Sequence, residues 1–193
     1  MLKDTYDWLM RLAAGKNAKL ALAAVAFAES SFFPIPPDVM LVPMVLADRA
    51  KAWHYAALAT VASVIGGIAG YAIGYFLLEL VGKPILAFYG KADGLVAFTK
   101  LFADYGAVIL LTKGMTPIPY KLLTISAGVA HMNLGTFIGA SVVARATRFF
   151  LVAGLLYFFG EPIRNFIEKR LMLVTSVIVI SIIAGFVIFK YLL

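Results

Sequence analysis

The tripeptide Pro-Ile-Pro occurs twice in this chain, at Pro34 to Pro36 and at Pro117 to Pro119, each time inside a long apolar stretch. Each copy is followed two residues later by a charge, Asp38 after the first and Lys121 after the second. Proline lacks a backbone donor and pushes its predecessor out of the helical region, so both stretches must break at these points, with Pro37 extending the first break. In hydrocarbon, broken backbone is tolerated only where protein or a wet cavity satisfies it. A charge beside such a break marks a place where a site can be built inside a membrane.

That the apolar stretches belong to a bilayer follows from composition. Hydrophobic residues make up 63% of the 193 and charged residues 14%, with a mean hydropathy of +0.95, far from the soluble average. Apolar segments fall at roughly 18 to 47, 55 to 80, 101 to 130, 135 to 159 and 172 to 193. Residues 1 to 17 mix polar and apolar positions with acids at Asp4 and Asp7, which predicts an amphipathic surface helix rather than a cleavable signal. The absence of cysteine removes disulfides and thiolate metal sites, and His54 and His131 are expected in short polar connections. Neither a metal, an organic cofactor nor a nucleic-acid partner is indicated.

The two proline sites align as parts of a longer repeat. Lys16 to Ala28 corresponds to Thr99 to Leu111 upstream, and the spanning helices end in similar words, Gly82-Lys83-Pro84-Ile85 and Gly160-Glu161-Pro162-Ile163. The arms Lys19 to Phe33 and Asp38 to Ala47 are too short to span about 30 Å at about 1.5 Å per residue. The expected fold is thus an all-α integral membrane protein forming a single membrane domain. It is an inverted repeat of a re-entrant, proline-broken hairpin plus a transmembrane helix, about 1 to 83 and about 84 to 163, with an extra C-terminal transmembrane helix at 172 to 193. Broken helices meeting between inverted repeats are a transporter architecture, and the break points to the binding site.

Basic residues orient this topology. One side would carry Lys3, Arg11, Lys16, Lys19, Arg49, Lys51, Arg164, Lys169 and Arg170; the other carries Lys83, Lys91, Lys100 and Lys190. The N-terminus is therefore expected in the cytoplasm, and the protein is read as multi-pass.

Lys113, Lys121, Arg145 and Arg148 remain within membrane segments, with Glu29 and Asp38 as acidic counterparts. Each buried charge costs about 2.5 to 3.5 kcal/mol on insertion scales, so these groups must pair, hydrate or hold a ligand. Arg145 and Arg148 share one helix face and project towards the hairpins. The cation excess suits a phosphate-bearing ligand held by arginine forks and lysine point charges. The half-helix starting near Lys121 would add its N-terminal NH groups.

Each of these residues also has a structural reading. Arg145 and Arg148 could instead pair with Glu29 and Asp38 to lock the fold, Lys113 could snorkel to the interface, and Asp38 could cap a half-helix. Glu29 and Asp38 are also the candidate proton acceptors for coupled transport, since a carboxyl removed from water holds a proton more readily. Gly66, Gly67, Gly70 and Gly74 form a small-residue face suited to close packing against a hairpin or a second copy of the chain.

At these residues the chain resembles the DedA superfamily of SNARE-associated, or VTT-domain, membrane proteins. The segment Glu29-Ser30-Ser31-Phe32-Phe33-Pro34-Ile35-Pro36-Pro37-Asp38 is similar to its acidic hairpin, and Gly66 to Gly74 to its glycine-tyrosine helix. Lys113 to Gly128 resembles its basic hairpin, closest to the YqaA-like branch. The resemblance covers about residues 18 to 160 and implies a bacterial inner-membrane protein that flips or scrambles phospholipids or polyprenyl phosphates. Its acidic pair would map onto Glu29 and Asp38. Its hairpin basic pair, usually arginines, would map onto Lys113 and Lys121, so that Arg145 and Arg148 supply the phosphate fork.

Two other classes remain open. A membrane-embedded lipid phosphatase would need a nucleophile and a base, but Ser30, Ser31, Thr112, Thr116, Thr124 and Ser126 show no triad spacing. A membrane scaffold would use the buried charges as internal salt bridges. The expected function is transport of lipid phosphates, not enzymatic chemistry.

Overall fold

The computed structural model describes residues 15, 17–33, 35–77, 92–115 and 120–169, with side chains except at 92–98, 161 and 163–169. The expected N-terminal surface helix, the expected C-terminal helix at 172 to 193, and Pro34, Pro117 and Pro119 lie outside the described residues. Within them every regular element is helical: α1 (Ala18–Ser31), α2 (Asp38–Ala47), a 3-10 turn (Arg49–Lys51), α3 (Ala52–Leu77), α4 (Ala92–Gly114), α5 (Tyr120–Val129) and α6 (Leu134–Lys169).

Each proline site separates two helices, and a long helix follows each pair. The arms after the breaks, α2 and α5, are both 10 residues long. The arms before them differ, 14 residues for α1 against 23 for α4. α4 thus starts at residue 92 rather than near 101, because residues 92 to 100 contain no proline to stop a helix. His54 lies in the first turn of α3 rather than in a connection, since the polar link ends at Lys51.

Two segments, Arg49–Leu77 and Leu134–Gly160, are long and apolar enough to cross a membrane, at 29 and 27 residues. At about 1.5 Å per residue both exceed a hydrocarbon core of about 30 Å. Near the end of the second, α6 kinks at Phe159 (φ −116°, ψ 20°). Pro162 accounts for the kink, because it cannot donate to the preceding turn and its ring crowds that turn's carbonyls. Asn133 opens α6 by accepting the Thr136 N–H on Oδ1 at 3.0 Å, as a helix N-cap does.

Helix α3 packs against α1, α5 and α6, and its glycine face makes the contact. A Cβ on Gly66 would lie 2.1 Å from the Phe27 carbonyl oxygen in α1, and one on Gly70 would lie 2.3 Å from Thr124 Oγ1 in α5 and 2.8 Å from the Ser30 carbonyl oxygen. The expected small-residue face therefore seats both hairpins on one helix. One apolar core joins α1, α2, α3 and α6 around Leu22, Leu41, Ala59 and Phe149. A second joins α4, α5 and α6 around Leu110, Tyr120, Ala127 and Phe137.

Candidate functional site between the hairpins

The two hairpins touch through their broken ends. Glu29, in the last turn of α1, accepts the backbone N–H of Tyr120, the first residue of α5, at 3.0 Å on Oε1. In the opposite direction, Lys121 Nζ donates to the carbonyl oxygen of Phe32 just past α1, at 3.3 Å. A carboxylate thus faces the positive end of α5 and an ammonium faces the negative end of α1. The anion expected at the N-terminus of the second half-helix is Glu29 itself. Thr124 Oγ1 adds a third cross-hairpin contact by donating to the Ser30 carbonyl at 2.9 Å.

Glu29 is also the acceptor for Arg145, whose Nη2 lies 2.8 Å from Oε2. Arg145 Nε donates to Ser63 Oγ at 2.6 Å, Ser63 and Ser30 are 2.6 Å apart, and Ser30 donates to Glu29 Oε2 at 3.2 Å. With Ser30 donating to the carboxylate, the Ser63 proton goes to Ser30. The result is a closed ring: the arginine reaches the carboxylate directly and again through two hydroxyls. The Arg145 guanidinium carbon lies 4.7 Å from the Tyr120 ring centroid and 4.6 Å from that of Phe149, between two aromatic rings. Tyr120 in turn donates its hydroxyl to Ser141 Oγ at 2.7 Å. Arg145 is fully buried and Glu29 is 4% exposed.

One turn further along α6, Arg148 Nη2 bonds Asp38 Oδ2 at 2.6 Å. Asp38 is the first residue of α2, after the cap position held by Pro37, and its side chain makes no cap bond. Of the two structural readings of this carboxylate, cap or arginine partner, the structure shows the second. This pair is more open, with side-chain exposures of 14% for Arg148 and 26% for Asp38. Among the described residues, the buried polar atoms Asp38 Oδ1 and Arg145 Nη1 have no hydrogen-bond partner.

The structure therefore joins Glu29 to Arg145, Asp38 to Arg148, and Lys121 to the end of the first hairpin, while Lys113 lies exposed in the last turn of α4. Among the break residues, Pro37 is buried and Pro36 partly so. No cluster of three or more metal-ligating side chains occurs among the described residues. Ser63, Tyr120 and Ser141 were not singled out as site residues by the sequence, and Ser30 and Thr124 were weighed only as nucleophiles. A signal for Ser63 existed: it falls three and four residues before Gly66 and Gly67, on the same face as the glycines.

The described elements are all helical, and two of them are long and apolar enough to cross a membrane, the class of protein that the family match specifies. The chain belongs to the VTT-domain family, the DedA or SNARE-associated proteins: the VTT domain model matches residues 34–158. It is similar to an uncharacterized protein of Haemophilus influenzae, 38% identical over 183 residues that cover 94% of this chain and 95% of the relative. An uncharacterized protein of Histophilus somni is 33% identical over 179 residues, covering 92% and 93%. No solved structure matches the chain significantly.

Proposed function

We propose that this protein carries lipid phosphates, polyprenyl phosphate or phospholipid, across the bacterial inner membrane, with two re-entrant hairpins of inverted orientation forming the path. The observation that carries this reading is the half-open pair Asp38 to Arg148, set one turn from a sealed pair at the same hairpin junction. A phosphate can compete with a carboxylate for an arginine fork that solvent reaches. Arg148 is then the exchangeable ligand, Lys121 and Lys113 supply point charges, and Arg145 holds the seam in register.

Protons serve as the coupling ion, taken up by Asp38 when phosphate displaces Arg148, while Glu29 stays bound to Arg145. Transport rather than hydrolysis fits the hydroxyls, because Ser30 and Thr124 are spent on the seam. The basic hairpin motif supports placement in the YqaA-like branch, and the basic-residue distribution supports a cytoplasmic N-terminus.

The test is translocation of fluorescent polyprenyl phosphate and fluorescent phospholipid in proteoliposomes, with and without a pH gradient. The wild type is expected to move one class of lipid, and Asp38→Asn and Arg148→Gln are expected to lose that movement while remaining folded. Well-folded wild-type protein that moves neither lipid under either condition would eliminate the transporter reading.

A second reading, a scaffold locked by salt bridges, is favoured by one fact: both arginines already have carboxylate partners. Exchanging the open pair, Asp38→Arg with Arg148→Asp, separates the readings. A scaffold regains full function with the exchange, and a phosphate carrier does not.

A further inference from the structure

Within the hairpin junction, the two buried atoms that lack a partner among the described residues are complementary: Arg145 Nη1 is a donor and Asp38 Oδ1 an acceptor. The rest of each head group is committed. Arg145 gives Nε to Ser63 and Nη2 to Glu29, and Asp38 accepts from Arg148 on Oδ2. Neighbouring groups are committed as well. The Tyr120 hydroxyl, beside the Arg145 guanidinium, donates to Ser141. The backbone N–H groups that follow Asp38, those of Val39, Met40 and Leu41, go to the carbonyls of Pro36 and Pro37.

The two atoms belong to one neighbourhood. Arg145 and Arg148 lie one turn apart on α6, and their guanidinium carbons stand 4.6 and 6.0 Å from the centroid of the same ring, Phe149. Asp38, bonded to the second arginine, is close enough for its charge to act on the first. Buried donors and acceptors without a protein partner are rare in folded proteins, and ordered water is their usual partner. The charges select that occupant. A cation placed between the two would meet the guanidinium and an anion would meet the carboxylate, whereas water accepts from one and donates to the other.

We propose that one ordered water bridges Arg145 Nη1 and Asp38 Oδ1 and ties the open ion pair to the sealed one. Hydrogen bonds of about 2.7–3.2 Å on either side of it join two atoms that do not bond each other. The four charged side chains then form a single network: Arg148 to Asp38, through the water to Arg145, and on to Glu29 and the Tyr120 N–H that begins α5. A displacement of Asp38 is thereby felt at the second hairpin, although Asp38 itself bonds nothing there. The water site stands on the two unmet atoms and does not depend on the transport reading. Under that reading the same water carries the state of the exchangeable pair to α5.

Two measurements on the full chain test this, and neither reads lipid movement, so failure of the transport reading leaves both intact. The first is an experimental structure of the unsubstituted protein at a resolution that shows ordered solvent. One solvent peak is expected within about 2.7–3.2 Å of both Arg145 Nη1 and Asp38 Oδ1. A peak that reaches only one of the two atoms, a direct bond between them, or no peak at all overturns the proposal. The second is a double-mutant cycle with Ser63→Ala and Asp38→Ala, which act on opposite sides of Arg145, read from unfolding in SDS. Loosening Arg145 by the first substitution already weakens the bridge that the second removes. The double variant should therefore raise the unfolding constant by at least about twofold less than the product of the two single effects. A rise equal to that product, or above it, makes the two ion pairs independent and overturns the proposal as well.

Discussion

The two ion pairs between the first hairpin and α6 each join a carboxylate to an arginine, the arginines one helical turn apart, yet their surroundings differ. Glu29 and Arg145 are sealed: each carboxylate oxygen has a protein donor, the guanidinium sits between two rings, and two serines close the loop. Asp38 and Arg148 share one hydrogen bond and remain partly open, although each pair keeps one buried polar atom without a hydrogen-bond partner among the described residues, Asp38 Oδ1 here and Arg145 Nη1 in the sealed pair. Burial alone does not make a charge functional. A sealed pair commits its groups to the fold, whereas an open pair leaves groups that can change partners. The carboxylate that also serves the end of the opposing hairpin is the one that is sealed.

The largest effect should come from breaking the sealed pair. Glu29→Gln can still accept from Tyr120, but it leaves Arg145 charged and buried without a counterion, at a cost of about 3–5 kcal/mol. The expected result is loss of folded, monodisperse protein in detergent. Asp38→Asn, at the partly open pair, should cost only about 1 kcal/mol and purify normally. Equal losses of thermal stability in the two variants would erase the distinction between them.

Next in size is a change that touches neither charge. Gly70→Ala places a methyl against Thr124 Oγ1 and the Ser30 carbonyl, the two groups that bond across the hairpins. Overpacking of this kind costs about 1–3 kcal/mol. The melting midpoint in detergent should drop for Gly70→Ala and stay nearly constant for Gly139→Ala, since nothing lies within 4 Å of a Cβ at Gly139. If both variants melt alike, close approach of the hairpins to α3 is not what holds the seam.

Reversing each pair sharpens the comparison further. Asp38→Arg with Arg148→Asp should regain most of the stability lost by either single change, because the pair has few other partners. Glu29→Arg with Arg145→Glu should not, since an arginine at position 29 cannot accept the Tyr120 N–H and a glutamate at 145 cannot donate to Ser63. Double-mutant cycles read from chemical unfolding would measure both couplings.

These contrasts show which parts of the site were legible in the sequence. The breaks at Pro36 and Pro37, the shared face of Arg145 and Arg148 and the packing face of Gly66 and Gly70 could all be read, because proline chemistry and helical period are local properties. The pairing of Arg145 with Glu29 rather than with a ligand was one of two open readings. Only the approach of α1, α5 and α6 decides it for this conformation. Ser63 carried a signal only in sharing the glycine face, and Ser141 was illegible as a site residue, because serine in an apolar helix usually satisfies itself by bonding back to its own backbone. The extent of α4 was misread for a related reason: Lys100 looks like part of a polar connection but sits exposed on the helix.

The smallest expected structural effect, and the most discriminating, is at Lys121. Its ammonium makes a long hydrogen bond to the neutral Phe32 carbonyl from a half-buried position, so Lys121→Gln should change stability by no more than about 1 kcal/mol. Yet both arginines bond carboxylates, whereas Lys121 bonds a neutral carbonyl. If the open side of the seam receives phosphate, Lys121→Gln should slow lipid translocation several-fold without lowering the melting midpoint, and Lys121→Arg should restore it. If Lys121 only ties α1 to α5, glutamine can donate the same bond, and translocation should be unchanged. Stability and transport then separate at a residue where the fold has little at stake, a separation that neither arginine can provide.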